Sequence, residues 1–246
     1  MKYKLIKKIL IKGIITAETG LAIGGSYTAM GIGGVDKGVI RNPVTQQPYI
    51  PGSTLKGKMR SLLEMKYGWI GSTAMGQVKN GPSEDYAHNS TKLFGNAVKG
   101  DVTQRPSRII VRDASFSKVQ DGGKGVADYF KGTDLLYTEV KTEVVIDRIT
   151  SKAMPRQLER VPAGAKFDFE LVLNVFEEDN EKQLIKDLFT ALQLVQNDYI
   201  GGSGSRGSGQ ISFAIDEVIE RGNDYFSAEG EEKDIKPEYQ NYFPKK

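Results

Sequence analysis

The sequence predicts an α+β fold built on a ferredoxin-like βαββαβ unit with loop insertions. Three observations carry that prediction: an N-terminal segment that alternates in strand fashion, two segments at helical spacing, and strand-like runs that separate and follow them. The order is strand, long loop, helix, strands, protruding insertion, strand, helix, glycine loop, strand. A parallel sheet would instead show a regular alternation of strand and helix.

The first strand covers residues 4–18. Ile9, Ile11, Gly13, Ile15 and Ala17 share one face, while Lys8, Leu10, Lys12 and Ile14 share the other. Residues 19–52 are rich in glycine and proline, and an irregular excursion of that length is usually functional. A helix follows over 53–67. Ser53 stands at the N-cap position after Pro51-Gly52, and Leu55, Met59, Leu62 and Leu63 form the apolar stripe. Residues 68–92 lose periodicity and read as a surface insertion.

The run RIIVRDASF, 108–116, is a strand carrying Asp113, and 137–150 and 165–178 are two more. Between the latter two, Pro155 and Pro162 fit a protruding hairpin or loop. Residues 181–197 are an amphipathic helix with Leu184, Ile185, Leu188, Phe189, Leu192 and Val195 at helical spacing. A strand over 210–220 follows the glycine loop. The chain is therefore expected to form one domain, 1–221, with insertions at about 19–52, 68–92 and 143–165, and a weakly ordered polar tail, 222–246.

Composition narrows the function. The 246 residues are 39% apolar and 26% charged, as in soluble globular proteins. The absence of cysteine excludes disulfides and thiolate metal sites, and a single histidine, His88, excludes a multi-histidine zinc site. The net charge of +3 permits a polyanion without demanding one. Cations cluster at Lys2, Lys4, Lys7, Lys8 and Lys12, and again at Lys56, Lys58 and Arg60. Lysine interrupts the N-terminal segment too often for a signal peptide or a membrane span, so a cytoplasmic protein without membrane contact is expected.

The stretch GGSGSRGSG, 201–209, contains the G-x-G-x-x-G spacing of dinucleotide enzymes. That fingerprint works where a strand precedes the glycines and a helix N-terminus follows to face the pyrophosphate. Here the helix comes first, and no Gly-Lys-Ser/Thr follows. The glycines read instead as a tight helix-to-strand connection. Five of them around Arg206 also leave a surface where N–H groups and one guanidinium can meet phosphates.

Three stretches together resemble the RAMP superfamily of CRISPR proteins: YIGGSGSRGSGQI (199–211), IPGSTLKGKMR (50–60) and AMPRQLER (153–160). More narrowly, the chain is similar to the third Csm subunits, the repeated backbone of type III-A effector complexes, over about residues 8–220. The resemblance implies an RRM-like ferredoxin fold with a thumb hairpin. It implies copies stacked as a filament along a guide crRNA, beside other Csm subunits and the large signalling subunit. It further implies cleavage of complementary single-stranded target RNA at regular intervals, with a divalent metal, Mg2+ being the expected ion. A scaffold that binds RNA without cutting it is the alternative.

By the same resemblance, the catalytic aspartate corresponds to Asp36 in GGVDKG, 33–38, where it would approach a 2′-hydroxyl or position a metal ion. Relatives often carry a histidine where this chain has Ala22, so a histidine base is unavailable there. Lys56, Lys58 and Arg60 match a guide-binding helix start. Met154 and Pro155, with Ala153, correspond to the thumb tip that wedges a base out of its stack. Arg148, Arg156 and Arg160 flank it as phosphate contacts, and Arg41 is a weaker candidate. Gly202 and Arg206 mark the RNA-facing glycine loop. The metal ligands are not identified. Asp113, Glu139 and Glu143 are expected to anchor arginines.

Overall fold

The computed structural model describes residues 4–24, 38–71, 80–96 and 106–245. Strand β1 (Leu5–Ala17) is central. Its odd-numbered face, Ile9, Ile11, Ile15 and Ala17, is fully buried, as the alternation predicts. A two-residue strand, β2 (Tyr49–Ile50), leads into helix α1 (Gly52–Tyr67). Helix α2 (Asn89–Phe94) follows, then β3 (Ile109–Val111), β4 (Ala114–Phe116) and the short helix α3 (Val126–Tyr129). Strands β5 (Glu139–Ile146) and β6 (Ala153–Arg160) pair only with each other. Strand β7 (Lys166–Phe176), helix α4 (Glu181–Gln196) and strand β8 (Ile211–Gly222) complete the unit.

The main sheet runs β2-β4-β7-β1-β8, with β3 also on β7, and β1 is antiparallel to both neighbours. Ile9 faces Leu173 and Ile11 faces Leu171, so one side of the sheet presents a continuous apolar surface. Helix α4 covers it with Leu184, Ile185, Leu188, Phe189, Leu192 and Val195, all buried, and α1 adds Leu55, Met59 and Leu63. The register of β1 on β8 shifts between Lys12 and Gly13, leaving Asp216 as an extra residue in β8. A Cβ at Gly13 would overlap the Ala214 carbonyl, so the close approach at this bulge requires glycine.

The opposite side of the sheet is laced by its own charges. Lys8 bonds Asn174 at 2.6 Å, Lys12 meets Glu217 at 2.9 Å, and Arg112 meets Glu170 at 2.6 Å. Lys8, Leu10, Lys12 and Ile14 of β1 place no aromatic ring on this side.

Several expectations need correction. Ser53 does not cap α1. The N-cap is Pro51, which has no side-chain cap, and the Gly52 N–H donates to Asp113 Oδ1 at 2.7 Å, so the cap comes from the break between β3 and β4. The strand at 108–116 is two strands broken at Arg112-Asp113. The hairpin tip is not Met154-Pro155. The chain turns at Asp147–Lys152, where Asp147 Oδ1 accepts the N–H groups of Ile149 and Thr150, and Ser151 takes a φ of 57°.

The part of 68–92 nearest α2 is packed rather than superficial: Ser83, Ser90 and Thr91 are fully buried. Beyond it Leu93 is also buried. The tail docks as well. A two-residue strand, β9 (Lys233–Asp234), covers the outer edge of β8, and Ile235 and Tyr239 are buried. Phe243 packs against Phe189 of α4 with the rings tilted and their centroids 5.1 Å apart. These three apolar residues, four apart, anchor an otherwise polar segment. Among the described residues no helix is long and apolar enough to cross a membrane.

Candidate nucleic-acid interface

The glycine loop is welded to the first excursion. The Gly202 N–H donates to the Ala22 carbonyl at 2.7 Å, and the Gly209 N–H donates to the Gly20 carbonyl at 3.0 Å. Gly201, Gly207 and Gly209 have φ values of 75°, 79° and 85°, in the left-handed region. A Cβ at Gly204 would overlap the Tyr199 ring, which lies flat beneath the loop. The three-residue turn at Gly204–Arg206 leads into β8, so no helix N-terminus follows the glycines. The glycines thus connect helix α4 to strand β8, the reverse of the strand-to-helix order of a dinucleotide fingerprint.

Both placed ends of the excursion meet beside this loop. Gly24 bridges Val39, the Ile40 N–H donates to Ile23 at 2.8 Å, and Leu21 bridges Val161 at the foot of the hairpin. Asp36 lies outside the described residues.

Glu159, 6% exposed, holds this junction. Its carboxylate accepts from the Val39 N–H at 2.8 Å and the Thr138 hydroxyl at 2.6 Å, and it pairs with Arg41. Arg41 also donates to the Gln46 and Leu136 carbonyls. Arg41 is thus spent on the protein's own acceptors rather than turned to RNA phosphates. Sequence reading missed Glu159, because its partners lie up to 120 residues away.

The hairpin contributes one charged face. Its register, Glu139 opposite Arg160 and Glu143 opposite Arg156, places Glu139, Lys141, Glu143, Arg156 and Arg160 on the same side. Arg160 pairs with Glu139 at 2.6 Å. Glu143 lies between Lys141 at 3.1 Å and Arg206 at 3.0 Å. The Lys141 hydrogen bond, together with the charges of Arg206, Lys141 and Arg160, holds the Glu143 carboxyl below the usual range. The expectation that Glu139 and Glu143 anchor arginines is met. Lys141 was legible from strand alternation, since it stands between those two glutamates.

Met154 and Pro155 are exposed, but they stand at successive positions of β6 and point to opposite sides of the ribbon. The most exposed apolar residue nearby is Ile149, at 94%, in the turn itself. Arg148 in the turn and Arg156 on β6 are both exposed.

The three cations of α1 do not form one cluster. Lys58 reaches Asp198 at 3.0 Å and lies 3.9 Å from the Tyr199 ring centroid, on the groove beside the glycine loop. That groove, about 400 Å³, is lined by polar residues including Thr19, Asp198, Tyr199, Gly207 and Gln210. Lys56 bonds Ser107 Oγ at 3.2 Å, and burial lowers its pKa, with help from the Arg60 charge. Arg60 binds buried Glu64 at 2.8 Å and the Ser83 carbonyl at 2.7 Å. Lys58 and Arg206 therefore share the glycine-loop side with the hairpin base, whereas Lys56 and Arg60 serve contacts elsewhere.

Among the described residues, no three His, Asp or Glu side chains gather closely enough to cage a metal ion.

A family profile described as the RAMP superfamily matches residues 14–212. A "CRISPR system Cms endoribonuclease Csm3" from Enterococcus italicus is 41% identical over 214 residues, spanning 87% of this chain and 93% of the relative. One of the same name from Streptococcus thermophilus is 42% identical over 210 residues, spanning 84% and 87%. A chain from the crystal structure of a Csm3-Csm4 subcomplex of the type III-A CRISPR-Cas interference complex has a TM-score of 0.57. It is 30% identical, over 94% of this chain and 90% of that one. The Methanopyrus kandleri Csm3 crystal structure is alike in fold, with a TM-score of 0.60 at 24% identity over 91% and 80%.

Proposed function

The chain belongs to the RAMP superfamily and within it to the Csm3 subunits, and from that premise we propose that it is the repeated backbone endoribonuclease of a type III-A effector complex, binding guide crRNA and cutting complementary target RNA. The observation that carries this reading is the convergence of three segments on one side of the chain. The glycine loop, both placed ends of the excursion that contains Asp36, and the base of the β5–β6 hairpin all meet there. The strand order β8-β1-β7-β4, with α1 and α4 on one face, supports reading the core as ferredoxin-like over residues 1–221. The exposed hairpin supports its reading as the thumb.

In this proposal base pairing supplies sequence recognition and the protein grips backbone and shape. Lys58, Gly202 and Arg206 face the guide. Arg148 and Arg156 contact phosphates along the thumb, and Ile149 joins Met154 and Pro155 as the apolar surface that disturbs stacking. Copies of the chain stack along the guide in the cytoplasm, beside other Csm subunits.

Cleavage follows from geometry. The distorted backbone brings a 2′-oxygen in line with the adjacent phosphorus; a P–O2′ bond forms as the 2′-hydroxyl gives up its proton, and the P–O5′ bond breaks as the 5′-oxygen gains one, leaving a 2′,3′-cyclic phosphate. Asp36 acts on the 2′-hydroxyl or on a divalent cation. The described residues offer no cage for such an ion, and Mg2+ is commonly held by one or two carboxylates together with phosphates. Asp36 is the carboxylate this chain would supply.

The test is target-RNA cleavage by the assembled complex, wild type against Asp36→Ala, with Mg2+ and with chelator. The expected result is a ladder of regularly spaced products that disappears in the variant while guide and target remain bound. Unchanged cutting by Asp36→Ala would leave the chain as an RNA-binding scaffold.

A further inference from the structure

The ion cluster at the base of the hairpin is more than a brace. Glu143 receives Arg206 at 3.0 Å and Lys141 at 3.1 Å, and Arg156 stands directly across the ribbon on the same face. Lys141 Nζ also donates to the Arg206 carbonyl at 3.2 Å, which fixes the glycine loop against the strand. Glu143 Oε1 is shielded from solvent and faces Lys141, while Oε2 faces Arg206, so each carboxylate oxygen has one cation. Arg206 remains 60% exposed on its outer side. An anion arriving along the glycine loop meets a guanidinium already half occupied by a carboxylate.

We propose that Glu143 is an internal stand-in for an RNA phosphate: in the free chain it occupies an anion position formed by Lys141 and Arg206, and a backbone phosphodiester displaces it on binding. The inference rests on the reading that Arg206 faces RNA. Two negative groups cannot share these cations without repulsion, so the exchange releases the hairpin from the glycine loop when RNA seats. The chain is thereby held in one arrangement before binding and freed to follow the RNA afterwards. Because the neighbouring cations hold the Glu143 carboxyl below its usual range, it stays charged at neutral pH and competes at full strength.

The experiment measures binding of labelled oligouridine to the purified chain as a function of salt. Glu143→Gln keeps the shape of the side chain and removes the competing charge. It is expected to tighten binding by about threefold, the scale of one exposed ion pair. Arg206→Gln and Lys141→Gln are expected to weaken binding and to flatten its salt dependence. In the double variant Glu143→Gln/Arg206→Gln the gain should vanish, because the contested cation is gone. A circular-dichroism melt of each variant identifies any that fail to fold, and Glu143→Ala then serves as the second neutral replacement. If Arg206→Gln and Lys141→Gln weaken binding while neither neutral replacement at 143 tightens it, the exchange is overturned. If Arg206→Gln leaves binding unchanged, it is the placement of RNA on the glycine loop that falls.

Discussion

Replacing Glu159 with alanine removes a carboxylate that ties the far end of the first excursion to the hairpin. The substitution strands two groups at once. Arg41, whose side chain is 20% exposed, loses its counter-charge, and the Val39 N–H loses its only described acceptor in a buried position. Breaking one partner of a buried ion pair costs roughly 3–5 kcal/mol. Arg41 keeps two carbonyl acceptors and the Thr138 hydroxyl, so the lower end, about 3 kcal/mol, applies. For a chain of this size each kcal/mol moves the melting temperature by about 2–4 °C, which gives a fall of roughly 6–12 °C. Glu159→Gln, which still accepts from Val39 and Thr138, should lose less than half as much. Thermal melts followed by circular dichroism read both values. Target cleavage should fall more than guide binding, since the bridged ends of the segment containing Asp36 are what the variant loosens. A fall of under 2 °C for Glu159→Ala would refute the claim that this carboxylate organises the junction.

Other substitutions probe separate parts of the argument. Gly204→Ala forces a Cβ against the Tyr199 ring; it should cost about 1–3 kcal/mol in urea titration and weaken RNA binding in a filter assay. Arg108 is 1% exposed and pairs with Asp179 at 3.0 Å, so Asp179→Ala should destabilise by roughly 3–5 kcal/mol in the same titration, leaving an unpaired buried guanidinium. Burial and the nearby Glu181 raise the pKa of Tyr239 above that of a free tyrosine. The unfolded chain therefore gives up this proton first. The Tyr239 contribution is complete below about pH 10 and is lost as pH rises beyond it. A pH series of melts on Tyr239→Phe should show a shallower alkaline decline than wild type.

Local pattern made some elements legible and left others hidden. β1 and α4 were readable almost to their ends because each buries one face across its whole length, so the alternation at Ile9–Ile11 and the spacing from Leu184 to Val195 are uninterrupted. The break at Arg112-Asp113 was not readable. Asp113 leaves the strand to cap α1, a partner 61 residues away. The hairpin tip was placed at Met154-Pro155 by the resemblance, and Pro155 and Pro162 were read only as fitting a protruding hairpin or loop. On a two-stranded ribbon a proline at an open edge is tolerated, and Asp147 makes the turn instead. Of the candidate site, the glycine loop and the cluster Lys56, Lys58 and Arg60 were visible from residue type, but not that only Lys58 of the three lies beside the loop. The charges of the hairpin base were visible, but their convergence on Arg206 was not, since it depends on which face of a ribbon meets a distant loop.

The sheet ends on both sides in strands of two residues, β2 and β9. At the β2 border this leaves almost no free ladder for a neighbour to extend, whereas β9 pairs only with Ile219 and Glu220 of β8, and the β5–β6 ribbon keeps both of its outer edges. In the proposed filament, a row of copies joined through side-chain surfaces and loops would take its length from the nucleic-acid strand it follows rather than from the protein.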